Sequence, residues 1–150
     1  MKASESIDLF LQQPYIAVVG VSRNKNKFGN TVYKTLKKKG IKVLPVNPHL
    51  TDFDGDKCFS DVETLPSHVN AVFVNTPPEK TLQIVEKAIN KGIQHFWLQQ
   101  GSTNDQVHQF LKGKDVNYTS DRCIMMFVEP VGSFHGFHRF LSKLTGNYPQ

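Results

Sequence analysis

Short apolar runs rich in β-branched residues alternate along the chain with stretches whose apolar positions recur every three or four residues. The runs are Tyr15-Ile16-Ala17-Val18-Val19 before Gly20, Ile41 to Val46 with Lys42 as its only charge, Ala71-Val72-Phe73-Val74, His95-Phe96-Trp97-Leu98, and a weaker fifth near Val116-Asn117-Tyr118. Apolar runs without clean alternation fit strands buried on both faces. Between them, Val32, Tyr33 and Leu36 share one helical face, with Asn30 or Thr31 as the cap and Gly40 just past the end. Thr76-Pro77-Pro78-Glu79 fits a capping box with proline at the first helical position. Leu82, Val85 and Ile89 form the stripe that follows, and Gly92 stops it. Thr103-Asn104-Asp105-Gln106 predicts a second capping box, ahead of Val107, Phe110 and Leu111 and ending at Gly113. Cys58 to Leu65 predicts a short turn or helix.

Strand–helix alternation at this spacing calls for a parallel sheet with right-handed crossovers. The predicted fold is α/β and Rossmann-like, three layers around a five-stranded parallel sheet in the order 3-2-1-4-5. Ser4 to Gln13 predicts a helix with Ile7, Phe10 and Leu11 facing the body. Phe134, Phe137, Leu141 and Leu144 recur on one side of a second terminal helix. The expectation is one domain over residues 1–150, with 1–13 as an N-terminal extension and 131–150 as a helical C-terminal extension.

Composition narrows the class. The 150 residues are 39% hydrophobic and 21% charged, which suits a folded soluble protein and not a disordered one. No apolar run nears the ~18 residues of a membrane span. The first residues carry Glu5 and Asp8 and do not read as a signal peptide. Two cysteines, Cys58 and Cys123, cannot build a disulfide framework or a four-ligand metal site. The expected location is therefore the reducing cytoplasm. A net charge of +5 invites an anionic partner: a nucleic acid, a membrane surface or a phosphorylated small molecule.

The residues just after each strand carry the chemistry, because ligands of open α/β sheets bind beyond the carboxyl ends of the strands. After the first strand, Gly20 allows a tight turn, Gly29 allows close approach, and Arg23, Lys25 and Lys27 bring positive charge to the start of a helix, a natural phosphate site. The dinucleotide fingerprint G-x-G-x-x-G/A is not met: Ser22 and Lys25 stand at its second and third positions. The second strand ends in Val46-Asn47-Pro48, with no carboxylate for ribose hydroxyls before Asp52. An adenosine with an extra phosphate stays compatible, which leaves NADP or coenzyme A. Pro77-Pro78 offers a flat apolar edge to an adenine ring, and Gln99-Gln100-Gly101-Ser102 offers amides and a glycine to a ligand.

With Phe28-Gly29, Trp97-Leu98-Gln99 and Asp121-Arg122-Cys123 added, these pieces resemble, in order, the small single-domain CoA-binding proteins related to the Rossmann-like domain of the succinyl-CoA synthetase α subunit. The likeness runs from Tyr15 to about Pro130. It implies a domain that holds coenzyme A, or an acyl-CoA, across the switch point. By that resemblance Gly20, Ser22, Arg23 and Gly29 fall in the phosphate loop, with Lys25 and Phe28 inside the same stretch. Asn47, Pro48, Thr76 and Pro77 fall beside the adenosine, and Gln99 and Gly101 nearer the pantetheine. The ligases that share this domain need a second domain carrying a phosphorylated histidine, which this chain is too short to hold. The resemblance transfers binding and not catalysis, and no catalytic residue is assigned. The implied role is that of a sensor, carrier or accessory module.

Other signals weigh less. Asp52-Phe53-Asp54-Gly55-Asp56 resembles a calcium loop, but Lys57 stands where glycine is needed, so it reads as an Asp-Gly turn. His135 and His138 lack further ligands near them, Glu129 aside, and no metal is expected. Cys123 could meet a ligand thiol, yet reads as a small buried residue. Lys37-Lys38-Lys39, with Lys34 and Lys42, reads as a solvated helix end without a nucleic-acid motif. The expected partner is a small-molecule nucleotide, with no membrane and nucleic acid disfavoured. The apolar C-terminal helix leaves room for a homodimer. The alternatives are an NADP-dependent oxidoreductase on the same fold and a protein- or nucleic-acid-interaction domain.

Overall fold

The computed structural model describes residues 2–128. The expected helix over Phe134–Leu144, with His135 and His138, and the rest of the 131–150 extension lie outside them. In chain order come α1 (Ala3–Leu11), β1 (Tyr15–Val19), α2 (Phe28–Lys38) and β2 (Lys42–Val46). A small hairpin follows, β3 (Asp52–Phe53) and β4 (Asp56–Lys57), then a 3₁₀ turn (Val62–Thr64). Next are β5 (Ala71–Val74), α3 (Pro78–Lys91), β6 (His95–Gln99), α4 (Asp105–Lys112), β7 (Asn117–Arg122) and α5 (Met125–Val128).

The five long strands form a parallel sheet ordered β2-β1-β5-β6-β7. The expected α/β, Rossmann-like architecture stands. The strand order needs correction: by position in the chain it is 2-1-3-4-5 and not 3-2-1-4-5. The reason lies in β2. Pro45 has no N–H to donate to a strand on its outer side, where the Phe59 N–H instead donates to Pro45 O at 2.9 Å, and Lys42 is exposed. Such a strand belongs at an edge, whereas the expected order would have enclosed it. β5 is buried at all four positions and takes the central place beside β1.

Successive strand residues point to opposite faces, so each apolar run feeds two cores. Ile16, Val18, Phe73 and Trp97 pack with α1, α2 and α5. Ala17, Val19, Val72, Val74, Phe96 and Leu98 pack with the 3₁₀ segment, α3 and α4. The chain changes face after β2, as right-handed crossovers require where the strand order reverses.

Glycines end two helices as expected. Gly40, at φ +88°, follows α2, with Gly40 N–H donating to Lys37 O at 3.0 Å and Ile41 N–H to Leu36 O at 3.1 Å. That is the paired closure of a left-handed C-terminal glycine. Gly92, at φ +101°, does the same for α3. The starts differ from expectation. Helix α2 begins at Phe28, so Asn30 and Thr31 lie inside it, with Lys27 as the cap. Pro77, not Thr76, is the cap of α3, and Asn104, not Thr103, caps α4, its side chain accepting from Val107 N–H at 3.0 Å. Thr76 and Thr103 are drawn elsewhere: Thr76 Oγ1 bonds Thr81 Oγ1 at 2.8 Å, and Thr103 Oγ1 donates to Asp121 Oδ1 at 2.7 Å.

Candidate functional site

The strand order reverses between β1 and β5, and an open α/β sheet offers its ligand crevice at the carboxyl ends of the strands there. Gly20 ends β1 at that point, at φ +131°, and a Cβ on it would meet the Asn75 carbonyl at 2.6 Å. Asn75 N–H in turn donates to Val19 O at 2.9 Å. The two strand ends are thus in backbone contact.

The β1–α2 loop is shaped by one buried side chain. Asn30, 5% exposed, accepts from Ser22 N–H at 2.8 Å and donates to Ser22 O at 2.9 Å and Asn24 O at 3.1 Å. Ser22 Oγ accepts from Asn24 N–H at 3.1 Å. Gly29 lies under this loop, pressed against the Gly20 carbonyl. Two straps join the loop to the end of β2. Asn47 Nδ2 donates to Val21 O at 2.8 Å, and Arg23 Nη2 donates to His49 O at 2.9 Å. Lys25 and Lys27 project into solvent, and Phe28 packs on the core beneath α2.

Beside the loop is a cavity of about 410 Å³. Its floor is the strand ends, Val19-Gly20-Val21, Val46-Asn47-Pro48 and Thr76. One wall is Ser60-Asp61-Val62 and the other is the face of α3 that carries Lys80, Gln83, Ile84 and Lys87. The volume suits a drug-sized or nucleotide-sized ligand, and the mix of apolar floor and few polar groups is usual for such sites. A second cleft of about 460 Å³ adjoins it through Pro48 and Ser60 and reaches the hairpin side, past Cys58. A third cleft, of about 590 Å³, lies under α1 at the starts of β6 and β7, the end of the sheet that α/β folds do not use for ligands.

Asp61 and Lys87, on facing walls of the cavity, form an ion pair, Nζ to Oδ2 at 2.8 Å, with Glu63 Oε1 at 3.7 Å from the same ammonium. Burial pushes the Asp61 carboxyl up, but the Lys87 ammonium and the Glu63 N–H outweigh it and hold the group below the usual carboxylate range. Hydrogen bonding and attraction from Asp61 raise Lys87 above its ordinary value.

Of the residues expected at a site, Gly20, Asn47, Pro48 and Thr76 line this cavity. Ser22, Arg23 and Lys25 lie in the adjoining loop, and Phe28 and Gly29 in the first turn of α2. Pro77 is exposed at the start of α3. Gln99 and Gly101 sit at the end of β6, and Gly101 turns at φ +89°. The Gln99 side chain faces inward, 5% exposed, and its Oε1 accepts from Ile124 N–H at 3.1 Å. Asp121, at φ +61°, is tied to Thr103 and to His108 Nε2 at 3.2 Å. Cys123 is half-buried against the first core. Asp54 and Gly55, at φ +53° and +82°, make the Asp-Gly turn of the β3–β4 hairpin. Among the described residues no cluster of His, Cys, Asp and Glu could hold a metal. No helix there is long and apolar enough to cross a membrane.

Sequence reasoning missed Asp61, Lys80, Gln83, Ile84 and Lys87. The signal for the last four is spacing: positions i, i+3, i+4 and i+7 share a helix face, and this face is the flank of the apolar stripe.

The family described as "CoA binding domain" matches residues 15–129. The uncharacterized protein YneT of Bacillus subtilis is 28% identical over 121 residues, which is 81% of this chain and 90% of that protein. The α subunit of the ADP-forming acetate–CoA ligase II of Pyrococcus furiosus is 32% identical over 88 residues, 58% of this chain but 19% of that subunit. Among solved structures, a conserved hypothetical protein from Pyrococcus furiosus superposes with a TM-score of 0.71 at 38% identity, covering 73% of this chain and 95% of that one.

Proposed function

The chain belongs to the CoA binding domain family, and from that premise we propose that it binds coenzyme A or an acyl-CoA at the reversal point of its sheet. The observation that carries this reading is the cavity of about 410 Å³ at the ends of β1, β2 and β5, beside a loop that ends at the start of α2. Backbone N–H groups at a helix start, with cations near them, attract phosphate.

In this reading the pyrophosphate lies on the loop of Gly20, Ser22, Arg23 and Lys25, with Gly29 and Phe28 supporting it. The adenine ring lies between Asn47-Pro48 and Thr76-Pro77. The pantetheine runs toward the β6 end, where the Gly101 turn offers backbone groups; the Gln99 amide is held by Ile124. The protein serves as a sensor, carrier or accessory module. The ligase relatives' catalysis is not carried over, since the chain matches only 19% of the ligase α subunit.

Calorimetric titration with coenzyme A, dephospho-coenzyme A and NADPH tests the proposal. Saturable heat with coenzyme A, weaker heat with its dephospho form and none with NADPH are expected. Heat from NADPH alone would replace the proposal with the oxidoreductase reading.

A further inference from the structure

The cavity's charged groups are Asp61, Lys80 and Lys87. Two of them, Asp61 and Lys87, neutralise each other, and Glu63 adds a second carboxylate to Lys87. Lys80 has no ion-pair partner among the described residues. It stands in the first turn of α3, a helix that no side chain caps. A cation in the first turn opposes the helix dipole, so its charge does not stabilise the helix start. An anion in the cavity would meet both the dipole and the ammonium. Lys80 and Lys87 share one face two turns apart, about 10.5 Å along the axis. The unmatched charge therefore sits near the strand ends and the matched pair sits far from them.

Resting on the coenzyme A reading, we infer that Lys80 is the specificity-determining residue of this cavity and binds the phosphate on the adenosine ribose. The β1–α2 loop, on the other side of the strand ends, is already assigned the pyrophosphate. The adenosine occupies the cavity, against the apolar Val46, Val62 and Ile84. The ribose phosphate branches from that adenosine and must find its cation on the cavity wall. Lys87 is withheld by Asp61 and Glu63, and Lys80 remains. The site thereby tells coenzyme A from ligands whose ribose carries only hydroxyls.

The test titrates wild type, Lys80→Ala and Lys80→Arg with coenzyme A and with dephospho-coenzyme A. One charge-assisted contact predicts that wild type prefers coenzyme A by about tenfold or more. Lys80→Ala should bind both ligands with the affinity wild type has for the dephospho form, and Lys80→Arg should keep the preference. Unchanged melting temperatures establish that the exposed substitution leaves the fold intact. An equal loss of both ligands in Lys80→Ala, a preference that survives it, or a wild type without preference overturns the inference. A wild type that binds neither ligand overturns the coenzyme A reading itself, a distinct result.

Discussion

A Cβ on Gly29 would lie 2.2 Å from the carbonyl oxygen of Gly20. The first turn of α2 therefore rests on the last peptide of β1, and this contact sets the helix start beside the cavity at the strand ends. Backbone cannot move aside as a flexible side chain can. Gly29→Ala should lower stability by about 2–3 kcal/mol, the upper range for overpacking. Gly113→Ala, with nothing within 4 Å of the new methyl, should stay within about 0.5 kcal/mol of wild type. Urea midpoints measure both, and similar small effects at the two sites would sink the idea.

Asn30 holds the same loop through both ends of its carboxamide. Alanine there removes an acceptor and two donors from a buried site, at an expected cost of about 2–3 kcal/mol. Aspartate is the sharper probe. Its carboxylate would face the carbonyls of Ser22 and Asn24, which the amide now serves as donor, so Asn30→Asp should be less stable than Asn30→Ala at neutral pH. The order of their melting temperatures decides it; a more stable aspartate variant would mean the carbonyls are met otherwise.

The strands, the helix ends at Gly40 and Gly92 and the glycine-lined turn after β1 could all be read from local pattern. Those features depend on residues a few positions apart, where periodicity and turn chemistry act directly. Strand order does not, although Pro45 and Lys42 in β2 held the cue. The cavity's second wall was out of reach for another reason. Asp61 and Lys87 are 26 residues apart, and only the crossing from β2 to β5 brings them together. Gln99 shows the converse: its place at a strand end suggested a ligand contact, while the start of α5 takes its amide.

Acid should loosen the fold through two carboxylates. The Lys37 ammonium and the Tyr33 hydroxyl hold Asp56 below its ordinary value, and Lys87 with the Glu63 N–H does the same for Asp61 against its burial. A folded-state value below the unfolded one contributes stability above the unfolded value and loses it as pH falls through the folded one. The melting temperature should therefore drop below roughly pH 4, and an Asp56→Asn/Asp61→Asn double variant should show a flatter acid limb. Lys37 and Lys87, both raised, run the other way: their contribution is complete at neutral pH and fades as pH climbs beyond roughly 10.4. The groups are partly solvated, so each effect is modest. Identical acid limbs in wild type and variant would refute the assignment.

Trp97 sits between two rings, 5.7 Å from Phe10 and 5.6 Å from Phe127, and its Nε1–H donates to Arg122 O at 3.2 Å. Phe10 is thus one anchor of α1 on the sheet, beside the buried Ile7 and the Asn117 amide, which donates to Ser6 O at 3.0 Å. Phe10→Ala should cost about 3–5 kcal/mol and shift the emission of the single tryptophan to the red. Because α1 lies away from the cavity, any remaining folded protein should bind coenzyme A with unchanged affinity. Loss of binding at a temperature where the variant is still folded would tie α1 to the site.

Arg23 reaches from the β1–α2 loop to the His49 carbonyl with one N–H, and its planar fork leaves other donors for a phosphate. The two roles have different signatures. As a phosphate ligand, Arg23 should matter only for ligands with a pyrophosphate; as a strap it should matter for anything seated between the loops. Arg23→Ala is expected to weaken coenzyme A about tenfold, the loss of one charge-assisted bond. Adenosine, which has no phosphate, should bind wild type and variant alike. Arg23→Lys should recover only part of the loss, since a single ammonium cannot serve carbonyl and phosphate in the geometry of the fork. Competition titrations of the three proteins with both ligands settle the matter. If adenosine weakens as much as coenzyme A does, the guanidinium works only by tying the end of β2 to the loop after β1, and the phosphate is held by the loop's backbone and its lysines.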